Sequence, residues 1–392
     1  MEKRRIYLDH AATTAVDPRV VEAMLPCWTE FYGNPSSIYV QGREAHKVLD
    51  SARGKVASIL HCRPDEVVFT GCGTESDNLA LRGVSLGQRR KGNHIITTAI
   101  EHHAVGHTAE QLQKYFGMEV TYLPVDQYGM VSPDDVAQAI KDTTVLISVM
   151  YANNEIGTIL PIGEISKVAR ARGIPFHTDA VQAGGSLDLN VETLGVDLLS
   201  LSAHKFYGPK GVGVLYVRKN TPYVSTLTGG GQERNRRAGT ENVALAAGLA
   251  QALELAYADA EASNKRLAAL RDRLIQGVVA AIPDTHVTGH PTQRLANNAS
   301  FVFEFIEGES ILLNLDLNGV AGSSGSACTS ASLEPSHVLL SCGLPHEIAH
   351  GSLRLTLGKE NTDEDVEYVL SILPGIVDRL RQMSPLYRQK KA

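Results

Sequence analysis

Seven short apolar runs, alternating with amphipathic stretches over roughly the first 250 residues, constrain this chain more than any other feature. They are Glu66–Thr70, His94–Thr98, Glu119–Leu123, Thr144–Met150, Ile174–His177, Leu198–Leu201 and Val212–Val217. Their apolar character is nearly continuous, as expected of strands covered by helices on both faces. Such alternation predicts an α/β domain built on a mixed but mostly parallel sheet. From Glu241 to about Ile282 the chain turns rich in Ala, Leu, Arg and Glu at helical spacing, which predicts one long helix or two consecutive ones. Asn298–Phe305 and Ser352–Leu357 then alternate like half-buried strands, and a helix is expected over Asp363–Met383. The expected division is a large domain over 16–255 and a smaller α+β domain formed by 1–15 with 256–392.

The strand ends carry the chemistry. Lys205 follows the Leu198–Leu201 run, with small polar neighbours and a glycine-rich exit. A lysine in such a place can be partly desolvated, which lowers its pKa and frees the amine to attack an aldehyde. Asp179 closes the preceding run, 26 positions upstream, about one β-α-β crossover away. Two adjacent strand ends can thus present an aspartate and a lysine to one ring. Pyridoxal phosphate (PLP) needs that pair: a lysine to bond its aldehyde carbon and a carboxylate to keep its pyridine nitrogen protonated. A lone Lys205 would read as a surface lysine on a turn; Asp179 at this spacing favours the cofactor.

Other groups fall on the same edge, where open α/β sheets bind ligands. Thr70-Gly71-Cys72-Gly73-Thr74 follows a strand and opens a helix, a ready place for phosphate. Gly71 and Gly73 allow close approach, and the Thr74 hydroxyl is expected to cap the helix and bind oxygen. His102 closes the next β segment, where an imidazole can lie over a ring or exchange protons with substrate; the bland alternative is a satisfied core histidine. Asn153-Asn154-Glu155 follows the Thr144–Met150 run. Gln182, at the start of the expected next helix, faces that edge or simply faces solvent.

Cys328 stands in Gly322–Ser336, a run of Gly, Ser, Ala and Thr with nothing bulky enough to bury a thiol. Gly and Ser make such a segment mobile, so a thiolate there can swing between a cofactor and an external acceptor. Cys27, Cys62, Cys72 and Cys342 sit in apolar or turn contexts and read as inert, Cys72 least clearly because it adjoins the phosphate turn. Arg354 interrupts an alternating strand where an apolar residue is wanted. It reads either as the bidentate partner of a substrate carboxylate or as a snorkelling surface residue. Thr228–Asn242 is a glycine-rich loop with Arg234, Arg236 and Arg237, either a solvated charge run or a segment that reaches a phosphate.

The bulk numbers exclude more than they assign. With 392 residues, 43% hydrophobic and 20% charged, the chain has the balance of an ordinary globular protein large enough for two domains. A net charge of −6 gives no reason to expect a nucleic-acid or anionic-membrane partner. No apolar run approaches the roughly 18 residues of a spanning helix, and the N-terminus lacks a signal-peptide pattern. Five cysteines without a Cys-x-x-Cys pair argue for reduced thiols in a cytoplasm, and the fourteen histidines form no metal-binding helix motif.

The motifs together resemble the NifS/IscS-type cysteine desulfurases, class-V aminotransferase relatives with the PLP-dependent transferase fold type I. The likeness runs from Tyr7-Leu8-Asp9-His10-Ala11-Ala12-Thr13-Thr14 to Ser384-Pro385-Leu386-Tyr387. It includes Gly33-Asn34-Pro35-Ser36-Ser37, Gly73-Thr74-Glu75-Ser76-Asp77-Asn78, Asn153-Asn154-Glu155-Ile156-Gly157 and His177-Thr178-Asp179-Ala180-Val181-Gln182. Ser202-Ala203-His204-Lys205, Arg237-Ala238-Gly239-Thr240-Glu241-Asn242 and Ser324-Gly325-Ser326-Ala327-Cys328-Thr329-Ser330 complete the set. The resemblance implies that Lys205 bonds the cofactor, Asp179 partners its ring nitrogen, His102 stacks on the ring and Gln182 bonds the pyridoxal oxygen. It implies that Gly73, Thr74, Ser202 and His204 hold the phosphate, with Thr240 supplied by the other subunit of a homodimer. Asn154 and Arg354 would meet the substrate.

The same resemblance implies L-cysteine as substrate, L-alanine as product and a persulfide on Cys328 that passes sulfur to an iron–sulfur scaffold protein or another acceptor. In relatives that hold a nascent cluster, Cys328 would also touch a transient [2Fe-2S] group. Departures are small: Cys72 stands where relatives often carry Gly or Ser, and His103 follows the ring histidine. A selenocysteine lyase or an aminotransferase on the same fold is the competing reading; an aminotransferase would have no use for Cys328.

Overall fold

The computed structural model describes residues 5–325 and 334–391. Its centre is a seven-stranded sheet. The strands are Val67–Thr70 (β1), His94–Thr98 (β2), Glu119–Leu123 (β3), Thr144–Ser148 (β4), Phe176–Asp179 (β5), Leu198–Ser202 (β6) and Gly213–Val217 (β7). They lie in the order β1-β7-β6-β5-β4-β2-β3. The run from β6 to β3 is parallel, and β7 alone runs against its neighbours. All seven apolar runs read from the sequence are strands of this one sheet, so the mostly parallel α/β expectation holds.

Helices cover both faces, which is why the strand sequences are apolar without alternation. Val67, Phe69, Leu199, Leu201, Val214 and Tyr216 point to one face, against Leu49, Ala52 and Val56 of helix Val40–Leu60 (α1). Val68, Leu198, Leu215 and Val217 point to the other, against Leu79, Ala80 and Val84 of helix Gly73–Gly87 (α2) and Val105 and Leu112 of helix His103–Phe116 (α3). Burying a Val, Leu or Phe side chain contributes about 1.5–3 kcal/mol, and these two apolar layers clamp the sheet. β3, at the edge, is the exception: only Leu123 in it is fully buried, and it carries Glu119 outward.

The Glu241–Ile282 stretch resolves into two helices, Val243–Ala258 (α4) and Ala260–Ala281 (α5), bent by 70°. α4 packs in the large core through Ala246, Leu249 and Leu253, whereas α5 gives Leu267, Leu270 and Leu274 to a second core. That second core joins Ile6 and Leu8 to an antiparallel sheet of Thr285–Val287 (β8), Asn298–Phe303 (β9) and Ser352–Thr356 (β10), and to helix Asp363–Met383 (α6). Two details differ from the sequence reading. β9 stops at Phe303 rather than Phe305, because the chain turns there and Phe305 takes a left-handed backbone with φ of 72°. β9 and β10 are also buried along their whole length rather than half-buried, since the alternate, polar residues face the rest of the protein instead of solvent. Among the described residues, no single helix is long and apolar enough to cross a membrane.

Candidate active site

The carboxyl ends of β1, β2, β4, β5 and β6 open on one edge of the sheet. The chain order reverses between β2 and β4, the kind of switch point where open α/β sheets leave a crevice. A cavity of about 460 Å³ lies there. Gly73, His102, Asn154, Asp179, Gln182, Ser202, His204, Lys205 and Arg354 all line it, as does Thr74.

Gly73 is the first residue of α2 and has no room for a side chain. A Cβ there would lie 2.8 Å from Val181 Cγ2 and 3.2 Å from Ser202 Cβ. The helix is capped not by Thr74, as expected, but by Cys72, whose Sγ accepts from the Glu75 backbone N–H at 3.4 Å. Cys72 is extended and sits where the cap must be; Thr74 falls inside the first turn, exposed at the cavity rim. Glu75 ties the turn together. Its carboxylate accepts from Gly71 N at 2.7 Å and from Arg237 Nε at 2.8 Å. Opposite the helix start, Ser202 Oγ is buried without a hydrogen-bond partner. An unsatisfied buried hydroxyl facing a helix N-terminus is an anion cradle awaiting its oxygen.

Asp179 ends β5, opposite Ser200 of the paired strand β6, and Lys205 lies three residues past the end of β6. Asp179 is buried and accepts from Val181 N at 2.9 Å. Burial pushes its carboxyl up to about 6, against the pull of that N–H and of the Lys205 charge. Lys205 Nζ donates to the carbonyls of Ala11 and Ala12 at 2.6 and 2.8 Å. Gln182 Nε2 donates to Ala11 O as well, at 3.0 Å, from a turn and not from the helix start expected for it.

His102 lies beyond the end of β2 and caps α3, accepting from Ala104 N through Nδ1 at 3.1 Å. Burial and the Lys205 charge hold its pKa down to about 4. The ring is therefore neutral at pH 7, and with Nδ1 accepting, its proton sits on Nε2. His204 pairs through Nδ1 with Thr13 Oγ1 at 3.1 Å, and burial lowers its pKa to about 4.

Arg354 does not snorkel: it is 5% exposed. It donates to Asn154 O and to Asp9 Oδ1, both at 2.9 Å, and its Nε is buried without a partner. A guanidinium with one free face on the cavity can take a carboxylate. The basic loop lies outside the cavity lining: Arg236 donates to Asp65 O and Arg237 is held by Glu75, while Arg234 and Thr240 are exposed. Cys328 lies outside the described residues. Burial pushes the Cys62 and Cys342 thiols up to about 12 and raises Cys27 as well, which favours their protonated forms. Cys72 is not remote from the chemistry, since it lines the cavity.

Several lining residues escaped the sequence reading: Asp9, Ala11, Ala12, Asp77, Met150, Val181 and Ser323. The Asp9–Thr14 motif was a usable signal. Its Ala11 carbonyl and Thr13 hydroxyl reach into the site from more than 190 positions away, through Lys205 and His204.

The residues fit PLP. The phosphate cradle has its orphaned Ser202 hydroxyl, the ring site its buried aspartate and neutral imidazole, and the aldehyde end its lysine.

Comparison with known proteins agrees. The family model "Aminotransferase class-V" matches residues 6–369. The cysteine desulfurase IscS of Methanosarcina thermophila is 58% identical, over 98% of this chain and 95% of its own. That of Clostridium botulinum is 53% identical, over 98% and 97%. A solved NifS-like protein superposes with a TM-score of 0.90 at 38% identity, covering 96% of this chain and all of its own. A structure described as SspA in complex with cysteine gives 0.79 at 35% identity, over 90% of this chain and 98% of its own. With its sheet order, its cavity and its relatives all in accord, this chain belongs to the class-V aminotransferase family, among the NifS/IscS-type cysteine desulfurases.

Proposed function

We propose that this protein removes sulfur from L-cysteine with PLP, releasing L-alanine and leaving the sulfur on Cys328 as a persulfide. The observation that carries the reading is one cavity lined by Lys205, Asp179, His102, Ser202 and Arg354. Bound there, PLP supplies an electron sink for the substrate α-carbon. Gly73, Thr74, Ser202 and His204 hold the phosphate, Asp179 faces the ring nitrogen, His102 covers the ring and Gln182 reaches the pyridoxal oxygen. Arg354 receives the substrate carboxylate while Asp9 and the Asn154 carbonyl fix its guanidinium plane. Lys205 moves protons at the α-carbon. The Cys328 thiolate attacks the substrate sulfur; the carbon–sulfur bond breaks, a sulfur–sulfur bond forms, and the carbon skeleton leaves as alanine.

The reading includes a homodimer in which Thr240 completes the phosphate site of a second copy. It is supported by the exposure of Thr240 and by the apolar surface of Leu25, Trp28, Tyr32, Ile38 and Tyr39, with Ile38 90% exposed. The domain division at 16–255 is supported by two apolar cores, although Val302 and Val338 belong to the larger one. A cytoplasmic location is supported by free thiols at Cys27, Cys62, Cys72 and Cys342. Delivery of sulfur to an iron–sulfur scaffold, with a transient [2Fe-2S] contact at Cys328, rests on the resemblance to IscS proteins. Among the described residues no His, Cys, Asp and Glu cluster is arranged to hold a metal.

Cys328→Ser tests the reaction. The variant should bind PLP and still change its spectrum with L-cysteine, yet release no alanine. Mass spectrometry of the cysteine-treated wild type should find one added sulfur on the Cys328 peptide. Alanine formation by the Ser variant at the wild-type rate would refute the proposed sulfur transfer.

A further inference from the structure

The cavity that holds Asp179 is lined by a second carboxyl that the proposed reaction does not use. Asp77, one turn into α2, is 1% exposed and lines the same cavity. Its Oδ1 has no hydrogen-bond partner, and the nearest ring nitrogen, His177 Nε2, is 3.6 Å away. Among the described residues, the groups that act on it most are Asp179 and Ser200, from β5 and β6, with Glu101 beyond β2 and Cys72 at the helix cap, and His177 of β5 stands beside it. None of these supplies a positive charge. Burial pushes the His177 pKa down to about 3, so its imidazole is neutral. His177 is held between Ser148 Oγ at 2.9 Å and Ser200 Oγ at 3.0 Å.

Two buried carboxyls beside each other cannot both ionise, because each charge raises the cost of the other. The pair is unequal. Asp179 has the Val181 N–H and the Lys205 charge to stabilise its anion; Asp77 has only the Ser200 hydroxyl and, beyond Asp179, two further groups that repel charge. Burial and the Asp179 charge accordingly hold the Asp77 carboxyl well above the usual carboxylate range.

We propose that Asp77 is a positioning residue of the ring-nitrogen site, a neutral acid that keeps the proton of the Asp77–Asp179 pair so that Asp179 stays ionised toward the cofactor. The inference rests on the PLP reading of the cavity. Protonated, Asp77 donates to Ser200 Oγ, Ser200 donates to His177 Nε2, and the remaining imidazole proton, on Nδ1, donates to Ser148 Oγ. One proton assignment thus satisfies a buried chain that runs from the cavity into the sheet. An ionised Asp77 would instead place a second negative charge beside Asp179 and move the proton onto it.

The test compares wild type, Asp77→Asn and Asp77→Ala after reconstitution with PLP. Equilibrium dialysis gives the PLP dissociation constant, and an absorbance titration follows the bound cofactor with pH. Asn reproduces the shape and neutrality of the protonated acid, so its dissociation constant should stay within about threefold of wild type, short of the tenfold that marks a lost interaction. Ala removes the group that shares the proton with Asp179 and leaves Ser200 with His177 alone, and should weaken PLP by about tenfold. On raising the pH, the wild-type spectrum should pass through a step as Asp77 ionises, and Asp77→Asn should lack it. A tenfold or greater loss of PLP in Asp77→Asn, or persistence of the step in that variant, would overturn the proposal.

Infrared spectroscopy of wild-type protein carrying carboxyl-labelled aspartate decides independently of any variant's folding. A protonated aspartic-acid band is expected at neutral pH, and its absence refutes the assignment. A wild type that takes up no PLP at all would overturn the cofactor reading and this proposal with it. A wild type that takes up PLP without the infrared band overturns this proposal alone.

Discussion

Lys205 and Ala11 are joined across almost half the chain: Nζ of the lysine donates to the alanine carbonyl at 2.6 Å, and to the Ala12 carbonyl at 2.8 Å. The amine that the mechanism requires is thus aimed by a segment of the N-terminus, not only by its own strand end. If Lys205 bonds the cofactor, borohydride reduction of PLP-loaded protein should fix PLP to the Lys205 peptide. Lys205→Ala should show neither the lysine-linked absorbance nor turnover. A reducible adduct on another lysine would contradict the assignment.

Asp179→Asn keeps a hydrogen-bonding group at the ring nitrogen but removes the negative charge. PLP should remain bound. Turnover should fall by roughly two to three orders of magnitude, the scale of removing one partner from a buried charge pair. Steady-state kinetics with L-cysteine, set beside the PLP content of the purified variant, separates this outcome from simple loss of cofactor.

Buried titratable groups set the pH dependence of the apoprotein's stability. Glu101, Glu155 and Asp179 are raised by burial to about 8, 7 and 6, so over the acid-to-neutral range the folded state holds protons that the unfolded state has lost. Stability contributed in this way is full below the unfolded carboxyl values and is lost as pH rises through the folded ones. His102, His204 and His177 act oppositely, since burial lowers them to about 4, 4 and 3 and the unfolded chain takes up their protons below pH 6.5. The two sets offset each other between about pH 4.5 and 6.5, and only the carboxyls remain above it. Thermal melts should therefore show stability falling from pH 6.5 to 8, by up to about 1.4 kcal/mol per pH unit for each carboxyl still titrating. Glu101→Gln should flatten the upper part of that fall; an unchanged slope would show that Glu101 is ionised in the folded protein.

Thr240 and the apolar surface around Ile38 make the assembly testable. Sedimentation equilibrium should give twice the chain mass. Thr240→Ala should weaken PLP binding by about tenfold, the cost of one hydrogen bond to a charged oxygen. Dilution of wild type below its dimerisation constant should release cofactor in parallel. A fully active monomer would exclude the shared site.

The strands and the edge they share were legible because the code for them is local. Continuous apolar runs of the right length specify buried parallel strands, and a residue shortly past five of the seven runs, at Gly73, His102, Asn154, Asp179 and Lys205, then falls on one sheet edge by topology alone. Boundaries were less legible where the backbone took a form that composition does not announce, as at Phe305, or where capping passed to Cys72 because chain direction, not side-chain preference, chose the position. The arginine loop divides for a related reason, Arg234 being exposed and Arg237 held by Glu75. Charge runs look alike in sequence whether they meet water or, like Arg237 and Glu75, a partner 162 positions away.

By itself, the sequence determined the α/β class, the Asp179–Lys205 pair and the family motifs, all of which depend on neighbours or on a single crossover. The tertiary structure alone decided which distant groups converge. It brought Asp9 to Arg354, Ala11 to Lys205 and Asp77 into one cavity with Asp179. Such pairings require the N-terminal segment, the central sheet and the smaller sheet to pack before any of them exists. Local pattern cannot encode them, because their energies come from desolvation and from contacts between parts of the chain that are remote in sequence.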